Sequence, residues 1–541
     1  MPENHISNND TVKSASVSDE PEVSQSAIET TQKEQEDAGG TRRIAKNALM
    51  LYIRMFITMI VGLYTSRVVL HTLGVEDYGT YGVVGGVVAM MGFLNAAMGG
   101  ATSRFLTFEL GRGDKKRLAD TFSSALIVHV GIALVVLVLA ETVGLWFMTY
   151  KLVIPEGRMT AAHWVYQLSI VSAMLGITQT PYNASIIAHE KMGVYAYVEI
   201  LNVTLKLLIV YLLTIGNFDK LILYAILVFA VSVIIIMVYR IYCIRHFEET
   251  HFRWVWDKSI LKPLLSFSGW NLYGNMGGLF QQQGTNFVIN FFFGVAMNAA
   301  VSIGLTIANT VNQFASNVML AFRPQIIKKY SVGDKQAMSD LTILAIKIIM
   351  FIYCLVAVPV FVEVHNLLEI WLVDVPDHSA VLCRLFLISI FFETIRYLLI
   401  IDIHASGNVK LVSFIAGSVF ILIPFITYFF FYLGLSVEAA FVILIVANVI
   451  LCTANVGLVR HYCGVNIFPY IGAILRVIVT SALALLVCMY IKTWIPPLYI
   501  HMITNTVIAL TAVVSSYFVL CFDAHQRQYA IDFVKTKLHL K

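Results

Sequence analysis

From residue 44 almost to the C-terminus, apolar segments long enough to cross a bilayer follow one another with short connections between them. A helix needs roughly 20 apolar residues to span about 30 Å of hydrocarbon. About fourteen segments meet that length: 44–70, 79–101, 122–148, 164–187, 194–213, 221–242, 264–293, 296–320, 341–362, 381–404, 411–433, 437–459, 470–491 and 500–522. Hydrophobic residues make up 58% of the chain and charged ones 13%, against about 45–50% and about 25% in soluble proteins. Water cannot be the solvent for that surface. The runs are continuous rather than alternating over about ten residues, which argues against a barrel. The expected fold is an all-α membrane protein of about 14 transmembrane helices.

Residues 1–40 are rich in Ser, Glu, Asp, Gln and Thr, with no apolar core for a signal peptide. They are expected to form a disordered cytoplasmic tail. Basic residues set the orientation. One set of connections holds Arg42, Arg43, Lys46, Arg104, Arg112, Lys115–Arg117, Arg245, Arg253, Lys258, Lys262, Arg323, Lys328, Lys329, Lys335, Lys410, Arg460 and the basic C-terminus. The opposite set holds only Lys151, Arg158, Lys220 and Lys492. Both termini are therefore expected in the cytoplasm, and the net charge of +4 gives no reason to invoke nucleic acid. Seven cysteines are scattered without metal-ligand spacing, so no metal site and no cofactor are expected.

Two stretches about 220 residues apart match in kind and position. Gly113, Asp114, Lys115 and Asp120 fall on Gly333, Asp334, Lys335 and Asp340, and Gly74-Val75 falls on Gly294-Val295. An even number of spans separates the two stretches, so the halves form a parallel repeat, an arrangement in which lobes rock about a central site. The expected division is a tail at 1–40, a six-helix bundle at 41–250, a second at 251–460, and an additional helix pair with a cytoplasmic tail at 461–541.

Polar residues inside the spans mark candidate sites. Arg54 lies near the middle of the first span and Arg67 further along it. A central arginine costs about 2.5–3.5 kcal/mol on insertion scales and must face protein or water. Guanidinium forks match phosphate oxygens. The alternatives are snorkelling of Arg67 to headgroups and pairing of Arg54 with Glu199. In the seventh span Asn271, Asn275, Gln282 and Asn286 share one helix face, and in the eighth Ser302, Thr306, Asn309, Gln313 and Ser316 do the same. Such stripes either line a wet cavity suited to sugar hydroxyls or bind helices together. The tenth span carries Glu393, Arg396 and Asp402; Glu393 and Arg396, at i and i+3, could neutralise each other, or the three could form an ion relay. The glycines at 82, 85, 86, 92 and 99 favour close helix packing.

The stretch Leu73-Gly74-Val75-Glu76-Asp77-Tyr78-Gly79 resembles the Leu-Gly-x-x-x-Tyr-Gly signature of bacterial Wzx-type polysaccharide flippases. These belong to the multidrug/oligosaccharidyl-lipid/polysaccharide exporter superfamily. Residues 188–192 (Ala-His-Glu-Lys-Met) and 403–408 (Ile-His-Ala-Ser-Gly-Asn) are similar to the motifs such proteins carry after the fourth and tenth spans. The resemblance runs from about residue 41 to the C-terminus. It implies two six-helix bundles in a V around a central cavity, inner-membrane localisation, and translocation of undecaprenyl-pyrophosphate-linked oligosaccharide for lipopolysaccharide O-antigen or capsule. It also implies contact with membrane lipids and with a polysaccharide polymerase. The first span has no Asp or Glu, unlike some ion-coupled drug exporters of the superfamily. The alternative within the superfamily is a multidrug or cation exporter. A membrane glycosyltransferase or polymerase using Glu76-Asp77 is disfavoured by outer connections of only about a dozen residues. No enzyme activity is expected.

Overall fold

The structure is a computed structural model. It describes residues 46–528 apart from 62–63, 66–67, 70–71, 75–76, 78–79, 83, 87, 89–92, 151, 153, 155–156, 214–217, 372–374, 493–499 and 525. The tail at 1–40, Arg67 and Glu76 lie outside the described residues.

The described chain is helical, in the order α1 (46–61), α2 (Phe93–Arg112), α3 (Lys115–Leu139, running on to Tyr150), α4 (Met159–Ala188), α5 (Met192–Leu212) and α6 (Lys220–His246). A continuous stretch Lys258–Ser331 breaks at Gly294, whose φ of 80° and ψ of −178° are non-helical. It therefore comprises two helices, α7 (258–293) and α8 (295–331). There follow α9 (Lys335–Trp371), α10 (Ser379–Ser406), α11 (Lys410–Tyr432), α12 (Glu438–Cys463), α13 (Phe468–Lys492) and α14 (Ile500–Ser516). No strand occurs among the described residues. Eight of these helices are apolar and long enough to span a membrane by composition alone, α3, α5, α6, α9 and α11–α14. The polar helices α7, α8 and α10 do not qualify, and they meet in the same part of the molecule.

The repeat appears in the backbone at the spacing seen in the sequence. Gly74 and Gly294 both have positive φ, 79° and 80°, where the chain turns out of the first span of each half. Gly113 and Gly333 repeat this at 77° and 85°, a left-handed conformation that glycine adopts at no steric cost. Asp114 and Asp334 then cap the next helix, each accepting a backbone N–H at 3.0 Å, from Arg117 and Ala337. Deeper in each half, the Cys243 thiol donates to the Tyr182 carbonyl at 3.6 Å and the Cys463 thiol to the Asp402 carbonyl at 3.4 Å. Arg158 at the start of α4 bonds Asp219 at the start of α6, as His378 bonds Glu438 between α10 and α12. Hydrogen bonding with Asp219 holds the Arg158 guanidinium above its ordinary range. Arg158 also donates to Asp77 at 2.7 Å, so Asp77 is a structural partner that joins the α1–α2 connection to α4.

The last pair, α13 and α14, is fastened to α9 at both ends. At one end, Lys347 of α9, 3% exposed at its side chain, donates to Asp523 at 2.6 Å, and Arg476 reaches the same carboxylate at 2.9 Å. At the other, Glu363 accepts from Lys492 and Asn505, each at 2.9 Å. Between them, Ser481 links the Tyr517 hydroxyl at 2.7 Å to the Cys354 thiol at 3.2 Å. The embedded Lys347 therefore anchors the appended pair.

Candidate functional site

Five helices of the second half enclose a cavity of about 630 Å³, within the ~300–1,000 Å³ range of small-molecule sites. α7 contributes Asn271, Asn275, Gln282 and Asn286, α8 contributes Asn309, and α10 contributes Glu393, Arg396 and His404. α11 and α12 close it with Ser413, Phe420, Phe441 and Asn448. The seventh-span amides thus share one wall, because residues three or four apart lie on one helical face. α7 and α11 approach closely on that side. A Cβ on Gly277 would sit 2.6 Å from Gly417 Cα, and one on Gly417 would sit 2.6 Å from a Tyr273 ring carbon. Only two facing glycines allow this separation, which brings Asn275 and Ser413 onto the same cavity.

Arg396 is the cationic group of this site. Its side chain is 4% exposed, its guanidinium lies 3.8 Å from Glu393, and its Nε has no hydrogen-bond partner among the described residues. The rings of Tyr397 and Phe420 flank it at 4.8 and 5.3 Å, a cation–π environment. At 3.8 Å the pair with Glu393 is an ion contact and not a hydrogen bond. Both groups therefore retain unused donors and acceptors beside the cavity.

Other expected residues go elsewhere. Asp402 does not join Glu393 and Arg396 and does not line the cavity. It is fully buried and accepts from Thr342 and Tyr470, each at 2.6 Å. A relay through all three is not what the structure brings together. The reason is helical phase: Asp402 lies on the face of α10 turned to α9 and α13. Gln313 is exposed and lies outside the cavity lining, although it shares a face with Asn309. Arg54 sits in the first half, its guanidinium 5.9 Å from the centre of the Tyr195 ring. Glu199, the alternative partner for Arg54, accepts from Asn202 at 3.0 Å. Arg54 is not among the residues that line the cavity of the amide wall. A separate cavity of about 410 Å³ lies among α4, α6 and the second span, walled by Gly82, Gly85, Ser169, Ser172 and Ser232. Two of the glycines expected only to pack therefore border open space.

Several cations assigned to loops prove to be helical. Arg104 lies on α2 and is 5% exposed, while Arg323 and Lys328 lie on α8. The helices extend beyond their apolar cores, and these residues meet across the two halves. Arg104 donates from Nε to the His404 carbonyl at 3.0 Å and from Nη2 to the Ala405 carbonyl at 2.9 Å. Arg323 donates to the Gly100 carbonyl at 3.3 Å. Lys328 bonds Glu190 at 2.6 Å, and Gln325 bonds the other oxygen of that carboxylate. Glu190 itself has φ of 58°, a turn conformation uncommon for a residue with a Cβ. Gly111 packs against Ser331 so closely that a Cβ would overlap the Ser331 hydroxyl. The molecule is shut at the end that carries the basic loops.

Solved membrane transporters share this architecture. A MATE structure in the bent conformation superposes with a TM-score of 0.67 at 14% identity, covering 82% of this chain and 97% of its own. An outward-facing multidrug resistance MATE family transporter of the MOP superfamily gives 0.66 at 14%, covering 79% and 96%. A MOP superfamily transporter from Pyrococcus furiosus, whose reversed pocket polarity suggests a different function, gives 0.62 at 14%, covering 79% and 96%. The chain has the MATE fold. No protein-family model and no curated protein matches the sequence. With this fold and its apolar helices, the chain is a multi-pass membrane protein.

Proposed function

We propose that the protein is an alternating-access transporter whose cargo is an undecaprenyl-pyrophosphate-linked oligosaccharide, moved across the bacterial inner membrane from the cytoplasmic side. The observation that carries this reading is the amide wall of α7 opening on a cavity of about 630 Å³. Carboxamides offer paired donors and acceptors that match sugar hydroxyls, and a lipid-facing helix would not retain them. The lipid tail stays in the bilayer while the head passes between the halves. In this account residues 41–250 and 251–460 are the rocking bodies. The pair at 461–541 moves with the second through its ties to α9. The basic end faces the cytoplasm with both termini, and the product passes to a polymerase outside.

A second reading is a multidrug exporter of the same superfamily. The solved structures sharing the fold favour it, since one is a multidrug resistance transporter. Within the cavity, Glu393 beside Phe386, Tyr397, Phe420 and Phe441 also suits an amphiphilic cation. Against it stand Arg396 and the amide wall. Deletion of the gene separates the two: loss of surface polysaccharide with unchanged drug sensitivity supports the flippase, and the reverse supports the exporter.

A further inference from the structure

The connection from α6 to α7, residues 247–257, joins the two halves and divides into two parts. The first is packed away: Phe247, Glu249 and Thr250 are buried, and Glu249 bonds His189 at 2.6 Å. The second, 251–257, is a non-helical strap with extended backbone at His251 and Asp257. It is tied to both halves. The Arg253 amide donates to Ser123 Oγ of α3 at 3.1 Å, and the Asp257 carboxylate caps α7 by accepting from the Ser259 amide at 2.7 Å. Alternate residues of an extended chain point the same way. Phe252, Trp254 and Trp256 alternate along the strap, and Trp254 is 76% and Trp256 64% exposed. The Phe252 and Trp254 rings meet edge to face with centres 6.4 Å apart, as side chains on one face do.

The flanking helices fix the depth of the strap. Ser123 is the second residue of the apolar run 122–148. The α6 run ends at Tyr242, four residues before His246, and the α7 run begins at Leu264, six residues after Lys258. At 1.5 Å per residue the two ends of the strap lie about 6 and about 9 Å from the hydrocarbon edge. The headgroup layer is about 5–8 Å deep on each side of the bilayer, and tryptophan concentrates there because its ring is amphipathic. The acids of this connection are committed: Glu248 to Lys115 at 3.0 Å, Glu249 to His189, and Asp257 to its cap. Arg253, Lys258 and Lys262 are exposed, and none has a carboxylate within ion-pair distance among the described residues. An aromatic face with a cationic margin, at headgroup depth, complements an anionic lipid surface.

We propose that residues 252–262 form an interfacial anchor. Phe252, Trp254 and Trp256 seat among the headgroups of the leaflet at the basic end, and Arg253, Lys258 and Lys262 hold anionic lipids beside them. The assignment is independent of the cargo. Because the strap is bonded to α3 in one half and caps α7 in the other, it pins the crossing between the halves to the membrane surface.

Nanodiscs holding one copy of the full chain in phosphatidylcholine, with or without phosphatidylglycerol, test this. The chain has seven tryptophans, so the emission lost on combining Trp254→Ser with Trp256→Ser reports the strap. A nitroxide on the upper acyl chain should quench that emission more strongly than one at the chain end, and acrylamide in the water should quench it weakly. The upper-chain label should also act more strongly on phosphatidylglycerol than on phosphatidylcholine. Arg253→Gln combined with Lys258→Gln and Lys262→Gln should cut this lipid preference by about fivefold or more, the worth of at least one cation at an anionic surface. High salt should do the same in the wild type. The Gln variant keeps every tryptophan, so its lipid and salt dependence can be read from total emission if the Ser variant does not fold. Strong quenching by acrylamide with none from lipid nitroxides would put the strap in water and overturn the anchor. Equal quenching by the two labelled lipids in the wild type, or an unchanged preference in the Gln variant, would overturn the anionic-lipid assignment. Loss of lipid quenching in discs holding two copies would assign the face to a second copy and overturn the proposal.

Discussion

Replacing Gly277 with alanine, beside a Gly278→Ala control, tests whether backbone contact between α7 and α11 sets the cavity. A Cβ at Gly277 would meet Gly417 Cα, O and C at 2.6, 2.7 and 3.0 Å, whereas one at Gly278 meets nothing within 4 Å. Both changes gain the same helix propensity, about 0.8–1.0 kcal/mol per Gly→Ala. The difference between the variants therefore isolates the clash. The obstructing atoms are backbone and cannot rotate away, so the helices must separate, at a cost of about 1–3 kcal/mol for overpacking. Gly277→Ala should be less stable than Gly278→Ala by that amount, roughly 5- to 150-fold in the unfolding equilibrium, measured by steric trapping in bicelles. Separation also moves Asn275 away from Ser413 and should weaken cargo binding. Equal stability of the two variants would refute the close approach.

Arg54→Ala should abolish surface polysaccharide at normal protein level, measured by glycan staining and immunoblot; wild-type polysaccharide would remove Arg54 from the transport path. Glu190→Gln leaves Lys328 without its carboxylate. With Lys328 about a quarter exposed, the seam between the halves should loosen by on the order of 2 kcal/mol, below the ~3–5 kcal/mol of a fully buried pair, seen as a longer distance distribution between spin labels at Arg112→Cys and Val332→Cys, two exposed positions. The Asp523 carboxyl is held below its ordinary value of 3.8 chiefly by its hydrogen bond from Lys347. Its contribution to docking of α13 and α14 is therefore present above pH 3.8 and lost only as pH falls further, through its lowered value. Proteolysis of the C-terminal pair should be unchanged between pH 7 and 5, and Asp523→Asn should expose it at pH 7.

The sequence displayed the architecture more fully than the site. Bilayer length fixed the spans, and the Gly-Asp-Lys pair announced a repeat because a left-handed glycine followed by a capping aspartate is a local device, legible without tertiary contacts. The same spacing relates Cys243 to Cys463, which composition alone left scattered; their role is visible only when each thiol is seen to cap a carbonyl. The α7 stripe could be read from helical phase. In α10 the spacing of Glu393, Arg396 and Asp402 suggested partnership, but Asp402 turns to Thr342 and Tyr470, a choice made by neighbouring helices. Arg104 and Arg323 lie beyond the apolar cores and looked like loop charges. Their burial depends on two halves meeting, and no single stretch of sequence records that.

The most direct measurement of the central account is translocation by the purified protein in proteoliposomes of undecaprenyl pyrophosphate bearing a fluorescent oligosaccharide, followed by membrane-impermeant quenching. The account predicts translocation well above that of empty liposomes and a marked loss when Asn275 and Asn309 are replaced by leucine. Translocation no faster than in empty liposomes, with uptake of a cationic drug in the same vesicles, would contradict it.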